Sequence, residues 1–521
     1  MIKTSLKLAL GLILISFVVS CDNMNSQDKN SVMISSEESD TLSHDPFRPN
    51  FHFTPKEKWM NDPNGLVYQN GKYHLFFQHY PDSTVWGPMH WGHAVSRDLL
   101  TWEEKPIALY PDSLGYIFSG SAVTDKNNTA GFGEDAMIAM FTYHDPEGEK
   151  AKSDKFQTQG IAYSLDEGKT WTKYKGNPVI ENPGIRDFRD PKVFWNEDLQ
   201  KWQMLLAAKD HIEIFQSEDL KDWQKLSDFN FPDNPELGVW ECPDLFELQV
   251  QGTGEKKWVM IVSHGGESSP NGGSGTRYFV GEFDGQKFTT DQDESQWLDY
   301  GTDNYAGVTF NNTPEGRRIL IGWMSNWNYA TTTPTKGWRS AMTLPRELYL
   351  VQTEDGYNLN TNVIDEIARV SESIAMDTEK SDNVTTIKSD ELSNSILSFE
   401  IVSPDGVEFS LNNSAGNKFT MGYKGNNFYT NRTNSGLVDF NEKFTNTEPQ
   451  KVQIGNLDTL KVKLFIDKSS VEIFLNDGNY AMTNLVYPET PWQVLKIVTN
   501  EDTRINNVKI RKVNLELLDK K

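Results

Sequence analysis

The sequence predicts an all-β chain: short units set around an axis, as in a β-propeller or a similar radial array, followed by a β-sandwich. Three observations carry this. From residue 51 to about 350 the segments are short, β-branched or aromatic, and punctuated by Gly, Pro, Asn and Asp, with no long helical period. Within that stretch a Ser/Asp turn followed by an aromatic ring recurs roughly every 50–70 residues. Beyond residue 370 apolar and polar positions alternate over many short runs, the pattern of strands with one buried face.

The N-terminus reads as a targeting segment. Lys3 and Lys7 precede the apolar run Leu8 to Val19, which is short for a membrane span and suits a signal peptide. The run ends Val18-Val19-Ser20-Cys21, which resembles a bacterial lipobox, so residues 1–21 are expected to be a lipoprotein signal ending at a lipidated Cys21. Ordinary cleavage after a small residue is the alternative. Export to a bacterial membrane, on the cell-surface or periplasmic face, follows from the lipobox. Residues 22–46 are rich in Ser, Asn and acids, lack periodicity, and read as a flexible tether. The radial domain is expected over 47–350 and the sandwich over 351–521.

Four copies of the turn appear in the radial domain. Ser96-Arg97-Asp98 leads to Trp102, Ser164-Leu165-Asp166 to Trp171, Ser217-Glu218-Asp219 to Trp223, and Phe283-Asp284-Gly285 more loosely to Phe288. Each follows a strand-like apolar run and looks like a hairpin tip with a ring folded back. Ahead of each lies a segment suited to an innermost strand: Asn61-Asp62-Pro63, Phe118-Ser119-Gly120-Ser121, Arg189-Asp190-Pro191 and Trp240-Glu241-Cys242-Pro243. Asp303-Asn304-Tyr305-Ala306 makes a fifth. Five such units around one axis would aim these segments into one funnel. Pro63-Asn64-Gly65 is expected to turn the chain sharply, and the prolines to place each acid near a strand end. Later, Val363 to Val370 reads as a short connecting helix, and Asn476-Asp477-Gly478 as a hairpin turn.

Composition narrows the function. The net charge is −24, which repels phosphate backbones and argues against nucleic acid. Aromatics make up 12% of residues, with fifteen Trp; most belong to a core, but the excess suits a neutral ligand with apolar faces, such as a sugar. Two carboxyl groups are the minimum kit for breaking a glycosidic bond. Val239 and Trp240 would wall Glu241 with apolar surface and favour its protonated form, the acid role. Turn amides around Asp62 would keep it ionised, as a nucleophile must be. Arg189 beside Asp190 would hold a fixed anion able to orient sugar hydroxyls.

These residues, from Trp59 to Gly65, Phe118 to Ser121, Arg189 to Pro191 and Trp240 to Asp244, resemble the motifs of glycoside hydrolase family 32, the invertases, inulinases, levanases and other β-fructosidases. His90-Trp91-Gly92-His93, Ile321 to Met324 and Asp467 to Phe474 extend the resemblance, which runs from about residue 48 to the C-terminus. It implies a five-bladed β-propeller followed by a C-terminal β-sandwich. It implies retaining hydrolysis of β-fructofuranosidic bonds, with Asp62 as nucleophile, Glu241 as general acid/base and Asp190 as transition-state stabiliser. The fructose pocket would draw on Asn61, Gln78, Trp86, Phe118, Ser119, Arg189 and Trp323. The expected partner is a fructan such as levan or inulin, or sucrose, cleaved from its end. Endo-levanase action is the near alternative; a fructosyltransferase and a non-catalytic fructan-binding lipoprotein are the others.

Other features carry less. His90 and His93 are not on a helix and make a poor metal pair; no metal and no cofactor is expected. Gly265 to Gly275 lacks a Gly-Lys-Ser/Thr and is no phosphate loop, so it is read as a mobile loop near the funnel rim. Cys242 lacks a histidine partner in the pattern and reads as a buried structural cysteine. With Cys21 assigned to lipid, no disulfide framework remains. The sandwich shows no constellation of acids and is given a structural role.

Overall fold

The computed structural model describes residues 45–231, 238–267, 269–445 and 448–518. The expected signal peptide, Cys21 and the tether up to residue 44 lie outside the described residues. From Pro46 onward the chain is a five-bladed β-propeller joined to a β-sandwich.

Four strands make each of the first three blades. Blade I holds β1 (Lys58–Gln69), β2 (Lys72–Tyr80), β3 (His90–Ser96) and β4 (Glu103–Leu109); blade II holds β5 (Tyr116–Asp125), β6 (Ala136–His144), β7 (Gln157–Ser164) and β8 (Thr172–Lys173). Blade III holds β9 (Phe188–Asn196), β10 (Lys201–Ala208), β11 (His211–Ser217) and β12 (Gln224–Phe229). Blade IV runs β13 (Trp240–Gln249), β14 (Lys256–His264), β15 (Gly275–Phe283) and β16 (Phe288–Thr289), with β17 (Gln296–Trp297) also on β15. Blade V runs β18 (Tyr305–Thr309), β19 (Ile319–Met324), β22 (Arg346–Thr353) and β23 (Gly356–Val363). Two short strands between β19 and β22 serve elsewhere: β21 (Ala341–Met342) flanks β19, and β20 (Trp338–Arg339) pairs in parallel with the start of β1, closing the ring. The propeller thus extends to Val363. The boundary expected at 350/351 falls inside the fifth blade, whose outer hairpin alternates as a sandwich strand would.

The recurring turns occupy equivalent places, between the third and fourth strands of blades I to IV. In the first three, the serine hydroxyl accepts the aspartate N–H, and the aspartate carboxylate accepts N–H groups two to four residues on. Trp171 and Trp223 fold back and donate their indole N–H to Gly168 and Leu220 carbonyls. Wedges of apolar side chains fill the gaps between blades: Phe76, Trp91 and Phe141 between I and II, for example, and Leu205, Ile214 and Met260 between III and IV.

One irregularity repeats in all five innermost strands. Two residues face one on the neighbouring strand: Asn61 and Asp62 against Gln78, Phe118 and Ser119 against Thr142, Asp190 and Pro191 against Leu206, Cys242 and Pro243 against Val262, Ala306 and Gly307 against Gly322. These are β-bulges, which bend a strand and re-aim its side chains. Backbone groups released at that level are met by buried side chains. Asn64 accepts the Gly120 N–H and donates to the Asp62 carbonyl. The Ser121 hydroxyl accepts from Val193 N–H and donates to Pro191 O. Asn311 donates to the carbonyls of Ala122 and Val193. The expected sharp turn at Pro63-Asn64-Gly65 is therefore absent: β1 continues through it, bulged. Gly65 is required there because φ is +52° and a Cβ would lie 2.7 Å from the Phe76 ring.

The sandwich packs a six-stranded sheet on a seven-stranded one around Phe399, Phe409, Phe419, Leu464 and Ile473. The expected connecting helix is a 3₁₀ turn, Asp365–Val370. Buried charges join sandwich to propeller. His52 lies between Asp467 and Glu472, both at 2.8 Å, and Glu472 also binds Arg346, whose other arm holds Asp299 at 2.8 Å. A sandwich acid cluster thus does exist, at the domain seam and away from the funnel.

Burial alone disfavours a charged His52, but the two carboxylates outweigh it and push it up to about 9 from 6.5. Burial likewise opposes an ionised Glu472, yet Arg346 and His52 bring it down to about 2 from 4.5. The His52 contribution to stability is complete below pH 6.5 and lost as pH rises through 9; the Glu472 contribution is complete above pH 4.5 and lost as pH falls through 2. The seam's share of the thermal stability should therefore plateau between pH 4.5 and 6.5 and decline towards 9. Glu472→Ala takes one of two carboxylates from each of the buried His52 and Arg346 and should cost about 3–5 kcal/mol in denaturant melts. A variant within about 1 kcal/mol of the parent would remove the seam from the stability argument.

Candidate active site

The bulges of blades I to III, with Glu241 beside that of blade IV, place side chains in one funnel around the propeller axis. A cavity of about 230 Å³ opens there, lined by Asn61, Asp62, Gln78, Trp86, Phe118, Ser119, Arg189, Asp190 and Glu241. The three predicted acids are thus brought together from blades I, III and IV. Each lies at or beside a bulge, with Asp62 in mid-strand instead of at a strand end.

Asp62 is held by short local bonds. The Trp59 indole N–H donates to Asn61 Oδ1 at 2.7 Å, which fixes the amide so that Asn61 Nδ2 donates to Asp62 Oδ1 at 3.1 Å. From blade II the Ser119 hydroxyl donates to Asp62 Oδ2 at 2.6 Å. Burial nevertheless pushes the Asp62 carboxyl above its ordinary value, against those donors and with the nearby Glu241 adding to it.

Asp190 has φ of +66° and Cys242 of +45°, left-handed conformations that cost a non-glycine residue energy. Both are fixed by one another: the Cys242 N–H donates to Asp190 Oδ2 at 3.0 Å. The Asp190 N–H donates to Thr142 Oγ1 at 3.0 Å. The Cys242 thiol sits 3.7 Å from both Asp62 Oδ2 and Asp190 Oδ2, and burial followed by the acids' charges drives its pKa well up. It is a buried thiol wedged between carboxylates, unsuited to act as a thiolate.

Two expectations about environment are corrected. Trp240 does not wall Glu241. Neighbouring residues on a strand point to opposite faces, and Trp240 turns into the core against Phe229, His264 and Phe279. Glu241 faces polar groups instead: Arg189 donates to Oε1 through Nε at 3.2 Å and Nη2 at 2.9 Å, and the Tyr305 hydroxyl donates to Oε2. Nor does Arg189 keep Asp190 low. Its guanidinium serves Glu241 and Asp187, the latter at 2.7 Å, and reaches Asp190 only at 4.0 Å. Burial pushes Asp190 up to about 7 despite Arg189, with Glu241 and Asp62 adding to the rise.

Trp323 is also displaced from its predicted place. It is fully buried beneath the site, between Trp59 and Trp327, and it is Trp327 that lines the cavity. Phe118 stacks on His144 with ring centroids 4.1 Å apart, and the half-exposed Trp86 meets Phe118 edge-on. Gln78 donates to the Ile117 carbonyl. His144, Glu149, Phe156, Gln157 and Asp187 line the cavity too and were not anticipated. Asp187 had a signal in the Arg186-Asp187-Phe188-Arg189-Asp190 run; the others lie on β6, on or just before β7, and on the one-turn helix Pro146–Lys150, where nothing in the pattern marks them.

The remaining candidates sort out as follows. His90 binds the Pro88 carbonyl while His93 pairs with His74, so the two histidines do not converge. The Gly265–Gly275 loop borders the site: a Cβ on Gly265 would lie 3.0 Å from Glu241 Oε2. Among the described residues His211, Glu213 and Asp228 lie close enough to share a metal, but the Lys225 ammonium sits on both carboxylates.

Comparison with known proteins agrees with this geometry. The model of the glycosyl hydrolases family 32 N-terminal domain matches residues 52–362, and that of the family's C-terminal domain matches 365–512. The chain belongs to glycoside hydrolase family 32. Among relatives in the family, the levanase of Bacillus subtilis is 44% identical over 515 residues, covering 94% of this chain and 73% of its own. The extracellular exo-inulinase of Aspergillus awamori is 38% identical, covering 89% and 95%. The crystal structure of an exo-inulinase from Aspergillus awamori superimposes with a TM-score of 0.82 at 35% identity, over 90% of this chain and 99% of that one. The fructofuranosidase of Schwanniomyces occidentalis complexed with fructose gives 0.80 at 32%, over 90% and 99%.

The buried acids set a stability prediction. Asp190 has its ordinary value at 3.8 and its folded value near 7, so its contribution to stability is complete below 3.8 and lost as pH rises through about 7. Asp190→Asn keeps an acceptor for Cys242 and removes the buried charge. It should melt a few degrees above the parent at about pH 8 and level with it at about pH 4. A lower melting temperature than the parent at the higher pH would contradict this.

Proposed function

We propose that this chain is a retaining β-fructosidase that hydrolyses fructans from the chain end. The observation that carries the reading is the meeting of Asp62, Asp190 and Glu241 in one small cavity, from bulges on three blades of a family 32 propeller. Asp62, gripped by Ser119 and Asn61, attacks the anomeric carbon of the terminal fructosyl unit. Glu241 passes its proton to the bridging oxygen, so the leaving sugar departs neutral and a fructosyl–Asp62 ester remains. Glu241 then takes a proton from water as it attacks that carbon, and the ester bond breaks. Asp190 stays out of bond making and accepts hydroxyl hydrogen bonds from the fructose ring. Asn61, Gln78, Trp86, Phe118, Ser119, Arg189 and Trp327 surround that ring.

A cavity of about 230 Å³ with buried Asn61 and Asp62 in its lining suits a chain end better than the middle of a polymer, which supports exo cleavage. The levanase and exo-inulinase relatives support a fructan substrate. Lys3, Lys7, the apolar run and Cys21 support export with a lipid anchor, since each buried CH₂ of an acyl chain contributes ~0.8 kcal/mol.

Glu241→Gln should abolish turnover, by about 10³-fold or more, with the fold intact by circular dichroism. Turnover within tenfold, roughly, of the parent would remove Glu241 from the acid role. A time course on levan, inulin and sucrose should yield fructose alone from the first point. A ladder of oligosaccharides from levan would mean endo cleavage, longer products at high sugar would mean fructosyl transfer, and no product would mean a binding protein. Cys21→Ser should shift the expressed protein from the membrane fraction to the soluble one; an unchanged distribution would end the lipid-anchor reading.

A further inference from the structure

Beside the three acids lies a chain of hydrogen bonds with no part in the mechanism above. Glu149 projects from the one-turn helix Pro146–Lys150, and its Oε2 lies 3.0 Å from His144 Nε2. His144 Nδ1 lies 3.4 Å from Gln157 Nε2. Gln157 Oε1 accepts the Phe188 N–H at 2.8 Å and faces Arg189 Nη1 at 3.5 Å. Arg189 holds Glu241.

The bond directions are determined. Gln157 Oε1 is committed to the Phe188 N–H and the guanidinium, so its amide nitrogen must face His144. A primary amide nitrogen only donates, hence His144 Nδ1 accepts and is unprotonated. The ring proton is then on Nε2, directed at the Glu149 carboxylate. Protonating Nδ1 would set two donors against each other. Gln157 would have to turn its amide over, and the Phe188 N–H and Arg189 would lose their acceptor.

We infer that Glu149, His144 and Gln157 form a positioning relay that fixes Arg189, and through it Glu241, only while His144 is neutral. His144 is clamped for this purpose, stacked on Phe118 at 4.1 Å and edge-on to Phe156 at 5.1 Å. The groups that face it are Glu149 and Asp145 from the helix segment, Arg189 from β9, and the rings of Tyr116, Phe118 and Phe156. Arg186 stands behind, 3.8 Å from Glu149. Burial favours the neutral ring, and Glu149 works against it. The relay is thus intact at neutral pH and opens in acid, on the acid side of the activity optimum. Its effect on turnover rests on the reading of Glu241 as acid/base; the tautomer and the bonds do not.

The test uses the full chain. Nitrogen-15 NMR of labelled histidine should show His144 as the neutral Nε2–H tautomer at neutral pH. Gln157→Glu keeps the acceptor for Phe188 but offers His144 no donor, and its new charge favours a protonated ring. A carboxylate there has one oxygen for a protonated ring and one for Phe188 and Arg189, so acid no longer opens the relay. The acid limb of its rate–pH profile on levan should move down, and kcat at the optimum should fall by about fivefold or more with little change in KM, as the new charge draws Arg189 from Glu241. His144→Asn keeps an acceptor near the Nδ1 position and cannot titrate, so its acid limb should be less steep. An acid limb unmoved in both variants, or a parent histidine carrying its proton on Nδ1, would overturn the relay. A parent without turnover on any fructan would overturn the proposed function alone, since the tautomer would still be readable.

Discussion

Everything at the centre of this protein depends on satisfying the backbone where five innermost strands bulge at one level. A bulge breaks the ladder and leaves peptide groups facing inward, where water is scarce and an unpaired group is costly. Asn64, Ser121 and Asn311 answer those groups with side-chain amides and hydroxyls. Lys192 does the same lower down, reaching the Thr309 carbonyl at 2.6 Å and Asp244 at 2.9 Å, while Asp244 accepts the Thr309 N–H. The distortion that creates this demand also swings Asp62, Ser119, Asp190 and Glu241 into the funnel. Structure and chemistry therefore share one origin, and neither can be relaxed without the other.

The electrostatics of the funnel follow. Five carboxylates line a space with one guanidinium, which is shared between Glu241 and Asp187. Asp190 and Asp62 are left with hydrogen-bond donors in place of a counter-ion, and burial raises both. The seam between the domains, by contrast, pairs its buried charges. His52, Arg346, Asp299, Asp467 and Glu472 are all buried there, and each has an opposite charge at hand.

Much of this was legible in the sequence because strands and turns are local. The Ser/Asp turns named the blades, and the residues before them named the innermost strands and the three acids Asp62, Asp190 and Glu241. What escaped was orientation and long-range pairing. Trp240 and Glu241 are neighbours in sequence and, for that reason, on opposite faces of β13. Trp323 was the candidate by pattern, and the turn after β19 brings Trp327 to the cavity in its place. The strand Gly356–Val363 alternates like the sandwich but pairs with Arg346–Thr353, so pattern alone misplaced the boundary. The seam joins His52 to Glu472, 420 residues apart, and no window along the chain contains both. His144 and Gln157 were invisible because their meaning lies in which nitrogen faces which oxygen.

The parallel pairing of Lys58 and Trp59 with Trp338 and Arg339 has a consequence for the order of assembly. Asn311 reinforces it, exchanging backbone bonds with Leu66 and Tyr68 across the same seam. The first blade cannot cover its free flank until a strand made almost three hundred residues later returns to it. Contacts so far apart in sequence are slow to form, because the loop must be closed before they repay the lost entropy. A chain emerging N-terminus first thus carries its acids on separate, unsealed blades for most of its synthesis. The ring around the funnel can be closed only once Trp338 and Arg339 have been made.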